Sequence, residues 1–192
     1  MAENKRLNQK TATREQIIRI ATQIYAQRGF NTPTSVIARE AGVSHGTLFA
    51  HFPTREVLIV TLLIRFLEEI NGRLHVLTNA GGGITTMLNA HIEFLAEHED
   101  LYRRLISETS ILPEEVNNTM ATVQTTISEH FLAALRRRRI VLKPVSHNLI
   151  FNAWLGLIHY YLQNKNLFAP EGPVLKRYQQ ELVRSFRTLL AV

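Results

Sequence analysis

The chain contains no cysteine. Disulfides, thiolate metal sites and thiol catalysis are therefore excluded. Long apolar runs are missing as well. The longest, such as Val57–Ile64, are short and interrupted by Thr61, far from the run of about 18 residues that a membrane span needs. The first residues, Met1-Ala2-Glu3-Asn4-Lys5-Arg6, lack the apolar centre of a signal peptide. These absences give a cytoplasmic protein with no membrane partner as the expectation. No segment alternates with period two, so no sheet is predicted. No glycine-rich nucleotide loop is present, because Gly81-Gly82-Gly83 is not followed by Lys-Ser/Thr and reads as a linker. His91 and His98 lie seven apart among glutamates, which is not a zinc-site spacing. With no nucleophile–base pattern either, the sequence predicts no enzyme, no cofactor and no metal.

What is present is an apolar, basic chain. It has 192 residues, 45% of them hydrophobic, and a net charge of +6. That is too apolar for disorder and long enough to bury a core. The charge is uneven. Residues 1–55 carry eight basic groups against three acidic ones, while residues 56–192 carry fourteen against thirteen. A basic head on a near-neutral body favours nucleic-acid contact by the head. Four of the body's cations are the run Arg136–Arg139. It reads as a solvated helix C-terminus that favours the helix dipole.

Apolar spacing predicts an all-α chain of about nine helices. Residues 1–12 read as frayed. The first helix is expected to start at Thr13, with Gln16 at the capping-box spacing, and to stop at Gly29. Thr32-Pro33 reads as an N-cap followed by proline at the first helical position, and Thr34 is a second candidate for the cap. Ser44 caps a third short helix, and Thr54 opens a long one running to about Leu77. Further stripes follow from Ile84, from Leu101, from Val116 and from Val174, and Leu149–Leu162 is apolar nearly all round.

Residues 34–53 carry the most specific signal. Two helices that cross steeply need a small residue at their contact, a turn tolerant of positive φ, and a buried anchor on the second helix. Ala38, Gly42 and Leu48 supply these in order, with Ile37, Ala41 and Val43 as inner residues. The outer face of the second helix is then Ser44, His45, Gly46, Thr47, Phe49, Ala50 and His51. These are short or polar groups that allow close approach to a DNA major groove. A solvated helix with a glycine defect is the alternative.

The stretch from Ile37 to Phe52, followed by Pro53-Thr54-Arg55-Glu56, resembles the DNA-binding region of the TetR (tetracycline repressor) family. The upstream Gly29-Phe30 pair matches too, and the resemblance covers residues 12–60. It implies a three-helix DNA-binding domain over 1–55, joined by a long helix to a ligand-binding and dimerisation domain over 56–192. It implies that Thr32 or Thr34 presents a helix N-terminus to phosphate, that Ser44, His45, Gly46 and Thr47 face bases or phosphates, and that Arg55 holds the DNA backbone. Phe49 and His51 stand where the family often has tyrosine. Phe49 brings no hydroxyl, so packing on sugar or a thymine methyl is expected, and His51 can donate to a phosphate. His45 and Thr47 are the candidates for base readout. The resemblance also implies a homodimer on a palindromic operator and a small-molecule effector. Phe66, Met87, His91, Phe94, Met120, Gln124, Asn152 and Trp154 are the candidate pocket lining, although each also reads as core. The expected function is a repressor released by its effector. A helix-turn-helix protein governed by a protein partner, or with no effector, is the alternative.

Overall fold

The structure, a computed structural model, describes residues 2–137 and 146–190. It is all-helical there, with ten α-helices and one 3-10 turn and no strand among the described residues. The head is α1 (Ala2–Arg28), α2 (Thr34–Glu40) and α3 (His45–His51). The long α4 (Arg55–Asn79) leads into a body of α5 (Ile84–Glu97), α6 (Glu99–Ser107), α7 (Glu114–Arg137), α8 (His147–Gln163), α9 (Lys165–Phe168) and α10 (Val174–Leu190). The 3-10 turn is Thr109–Ile111. The tenth helix beyond the expected nine is α9, a single turn too short to show a periodic stripe.

One expectation about α1 fails. The helix begins at Ala2, so Thr13 is interior, and its hydroxyl donates to the Gln9 carbonyl at 3.0 Å. Residues 2–12 contain no glycine or proline, so nothing stops the helix from extending toward solvent. Gln16 does not cap it either; its Nε2 donates to the Ala41 carbonyl at 2.7 Å and ties α1 to the end of α2. The cap of α2 is also not a threonine. Pro33 holds that position with no side-chain cap bond. The expected caps of the next two helices hold: Ser44 accepts from the Thr47 N–H at 3.0 Å and Thr54 from the Val57 N–H at 3.2 Å.

The core runs unbroken from head to body. Ile17, Ala21 and Tyr25 of α1 meet Ile37, Leu48 and Phe52, and Leu58, Leu62 and Leu63 of α4 continue the same apolar mass. In the body, Trp154 is fully buried against Phe186, with ring centroids 5.1 Å apart. Long-range polar links then fix the helix order. Glu99 at the start of α6 is buried and accepts from the Val174 and Leu175 N–H groups at 3.0 and 2.9 Å, so it caps α10 from another helix. Lys165 pairs with Glu99 at 3.1 Å and Asp100 at 3.2 Å. At the end of α7, Arg137 donates to the Thr78 carbonyl at 2.5 Å and satisfies the C-terminus of α4. The arginine run thus serves a neighbouring helix as well as its own; Arg138 and Arg139 lie outside the described residues.

Candidate nucleic-acid interface

The helix-turn-helix forms as its spacing requires. Ala38 is 3% and Leu48 0% exposed. Gly42 adopts φ +67°, a value L-residues resist. The Val43 N–H closes the turn on the Ala38 carbonyl at 3.0 Å. With Leu48 held underneath, Ser44, His45, Gly46 and Ala50 are exposed, and Thr47, Phe49 and His51 are half-buried.

These groups are organised before any ligand arrives. Ser44 Oγ and Thr47 Oγ1 share a 2.8 Å hydrogen bond, which fixes the Thr47 rotamer. His45 Nε2 hydrogen-bonds Thr34 Oγ1 at 3.1 Å, and its ring meets Phe49 edge-on with centroids 4.6 Å apart. Thr34, His45 and Phe49 therefore form one unit bridging α2 and α3. Only the His45 Nδ1 edge is left for an outside partner. Phe49 supports the histidine ring, a role its lack of a hydroxyl permits. Thr32 is 8% exposed and its hydroxyl donates to the Gly29 carbonyl at 2.8 Å. It is committed inward, and Thr34 is the threonine at the outer surface. Arg55 is the first residue of α4, half-buried, with Nε 3.6 Å from Glu56.

The extended α1 adds a corner that motif spacing missed. Lys10 and Arg14 lie near His51, and the Arg14 guanidinium sits 4.9 Å over the Phe52 ring. Burial, and then the charges of Lys10 and Arg14, hold the His51 imidazole below its usual range. Three basic groups thus converge beside the recognition helix. Their sequence signal was the charge excess of the head.

The head is latched to the body by two side chains of the α6 end. Glu108 Oε2 accepts from the Phe30 N–H at 2.8 Å, and Glu108 Oε1 pairs with Arg104 at 3.1 Å. Arg104 Nη2 donates to the Gln27 carbonyl at 3.0 Å. The carboxylate lies so close that a Cβ on Gly29 would stand 2.6 Å from Glu108 Oε1, and Gly29 has φ +86°. The glycine is required both for its backbone and for the carboxylate beside it.

The eight pocket candidates separate into two groups. Phe66, Met87, His91, Phe94 and Trp154 are buried core, and Met120 is half-buried against it. Trp154 Nε1 donates to His91 Nδ1 at 2.9 Å, which puts the proton of the neutral imidazole on Nε2. Burial pushes His91 down to about 3. The Tyr102 hydroxyl shares a 2.8 Å hydrogen bond with His159 Nε2 in the same interior. Gln124 and Asn152 instead meet across an open cleft of about 810 Å³ between α7 and α8. No single described helix is long and apolar enough to cross a membrane.

An outward-facing α3, pinned by Leu48 and set beside a basic corner, is the geometry of a helix-turn-helix DNA-binding unit. Comparison with known proteins points the same way. Residues 17–62 match the bacterial regulatory proteins of the tetR family. The HTH-type transcriptional regulator YuxN of Bacillus subtilis is 26% identical over 142 residues, covering 70% of this chain and 49% of that protein. The HTH-type transcriptional repressor KstR2 of Rhodococcus jostii is 27% identical over 113 residues, covering 58% of this chain and 54% of that protein. The chain spans about half the length of the curated relatives it matches. Among solved structures, a TetR-family regulator from Agrobacterium tumefaciens shares the fold at TM-score 0.77 and 16% identity, over 95% of this chain and 100% of that one. The ketosteroid transcriptional regulator KstR2 of Mycobacterium tuberculosis does so at 0.73 and 18%, over 93% and 95%. Residues 17–62 thus resemble the DNA-binding region of the tetR family, and the chain shares the fold of solved structures of that family.

Proposed function

We propose that this chain is a repressor that binds double-stranded operator DNA through α3 and is released by a small molecule bound in its body. The observation that carries the reading is the start of α3, with Ser44, His45 and Gly46 exposed and Thr47 half-buried, pinned by Leu48 and flanked by Lys10, Arg14 and His51. Residues 1–55 act as the DNA-binding unit and residues 56–192 as the ligand-binding and dimerisation unit. His45 and Thr47 read base edges, while Thr34, His51, Arg55, Lys10 and Arg14 hold phosphates. Phosphate contacts set position and base contacts choose sequence. No arginine lies on α3, so direct readout is modest and DNA shape contributes.

One head covers few base pairs, and pairing two heads on half-sites about 34–36 Å apart is the usual solution. Leu149 and Tyr160 of α8 and Leu189 of α10 are exposed apolar groups, and Ala153 and Gly156 lie on the same α8 face as the first two. This surface suits a second copy packed as a four-helix bundle and supports a homodimer on a palindromic operator. The protein works in the cytoplasm, where its operator is. Control by a protein partner is the second reading. It is favoured by the dense packing of the interior candidates, which leaves the effector no room among the described core residues.

Two substitutions test the interface. Thr47→Ala costs about 1–3 kcal/mol on the preferred duplex and relaxes its specificity, whereas Lys10→Gln weakens all duplexes alike and lowers the salt slope by about one. Unchanged affinity in Thr47→Ala, measured by fluorescence anisotropy, overturns the reading face.

A further inference from the structure

We infer that the cleft between α7 and α8 takes a small organic anion with a hydrogen-bonding group at its far end; this rests on reading the body as effector-binding. The cleft measures about 810 Å³, within the range of ligand sites. Gln124 and Ser128 of α7 face Asn152 of α8 across it. No hydrogen bond joins these three to one another among the described residues. Gln124 and Ser128 are half-buried and Asn152 is exposed, so each keeps hydrogen-bonding capacity toward the cleft. Here they are held apart with room for a molecule between them.

The charge along the cleft is directional. Arg136 stands at one end and forms no ion pair with a described residue. Glu129 lines the same wall seven residues earlier, two helical turns and roughly 10 Å away. A ligand carboxylate or phosphate fits the Arg136 end, and a hydroxyl or amine fits the Glu129 end. Leu132 and Phe151 line the cleft and supply apolar contact for the part between. A bulky neutral hydrocarbon suits this lining poorly, because it would bury the polar walls unpaired. In the body's described interior, Met87, Phe94, Phe131 and Trp154 are each 1% exposed or less and pack as core.

The test uses the full chain and three probes: 4-hydroxycinnamate, whose carboxylate and hydroxyl stand apart by about the required length; its neutral amide; and progesterone. Binding is read by calorimetry and thermal shift at constant ionic strength, and operator release separately by anisotropy. The expected result is binding of the acid at least tenfold tighter than the amide, lost at least tenfold in Arg136→Gln, a surface substitution that leaves ligand-free operator affinity unchanged. Equal affinity for acid and amide, no binding of the acid at millimolar concentration, or an unaltered Arg136→Gln variant overturns the assignment. Acid binding without operator release upholds the site and refutes its regulatory role. Release by progesterone alone upholds regulation and refutes the site.

Discussion

The contact between Glu108 and the Gly29–Phe30 turn supports a quantitative prediction by double-mutant cycle. Glu108→Ala removes a charge-assisted bond to the Phe30 N–H and the partner of Arg104. Such bonds contribute about 1.5–3 kcal/mol, and partial exposure of the pair places this one near 2. Gly29→Ala forces a residue with Cβ into φ +86°, which costs about 1–2 kcal/mol. It also drives Glu108 Oε1 from its place, since the new Cβ would lie 2.6 Å from it. The carboxylate is flexible, but moving it breaks the bond to Phe30. The two substitutions therefore lose the same bond, and the double variant loses it once. Stability from urea denaturation is expected to fall by about 2 kcal/mol in Glu108→Ala and about 3–4 in Gly29→Ala, with the double variant no worse than Gly29→Ala and a coupling near 2. Additivity within about 0.5 kcal/mol refutes the reasoning, because it would mean the carboxylate and the glycine do not share a contact.

Two pH dependences follow from buried and basic histidines. An unfolded chain protonates His91 below pH 6.5, while the folded chain resists until about pH 3. Stability is thus lost as pH falls from 6.5, by about 2 kcal/mol at pH 5. His91→Asn, which keeps an acceptor for Trp154, flattens that loss in denaturation curves at pH 7 and pH 5, and an unchanged slope contradicts the assignment. His51 is held below its usual range by burial and by Lys10 and Arg14. An operator phosphate at this corner raises it, so binding takes up a proton and tightens as pH falls through the range where the imidazole titrates. His51→Gln is expected to remove that trend in anisotropy titrations, and a persisting trend moves the proton uptake elsewhere.

The fold was legible where local rules suffice. Ala38, Gly42 and Leu48 occupy the contact, turn and anchor that their spacing demanded, and Ser44 and Thr54 cap as read. Periodicity tells which face of a helix is apolar but not which distant group that helix meets. Gln16 therefore looked like a local cap, yet it serves Ala41 in another helix. Glu99 capping α10 and Glu108 gripping Phe30 join residues 75 to 78 apart, with no spacing to reveal them. The pocket candidates show the same limit. An aromatic or methionine on an apolar stripe reads alike as lining or core, and here Phe66, Met87, Phe94 and Trp154 pack as core. Gln124 and Asn152, polar groups at stripe edges, are the two that face open space.

The central claim, that Ser44–Thr47 of α3 reads operator DNA in a paired arrangement, is tested most directly by in-vitro selection of duplexes bound by the full chain. The account predicts a palindromic site whose half-site centres lie about one helical turn apart, roughly 34–36 Å, and whose preferred bases change in His45→Ala and Thr47→Ala. Recovery of unrelated sequences with no symmetry, equally by wild type and both variants, would contradict it.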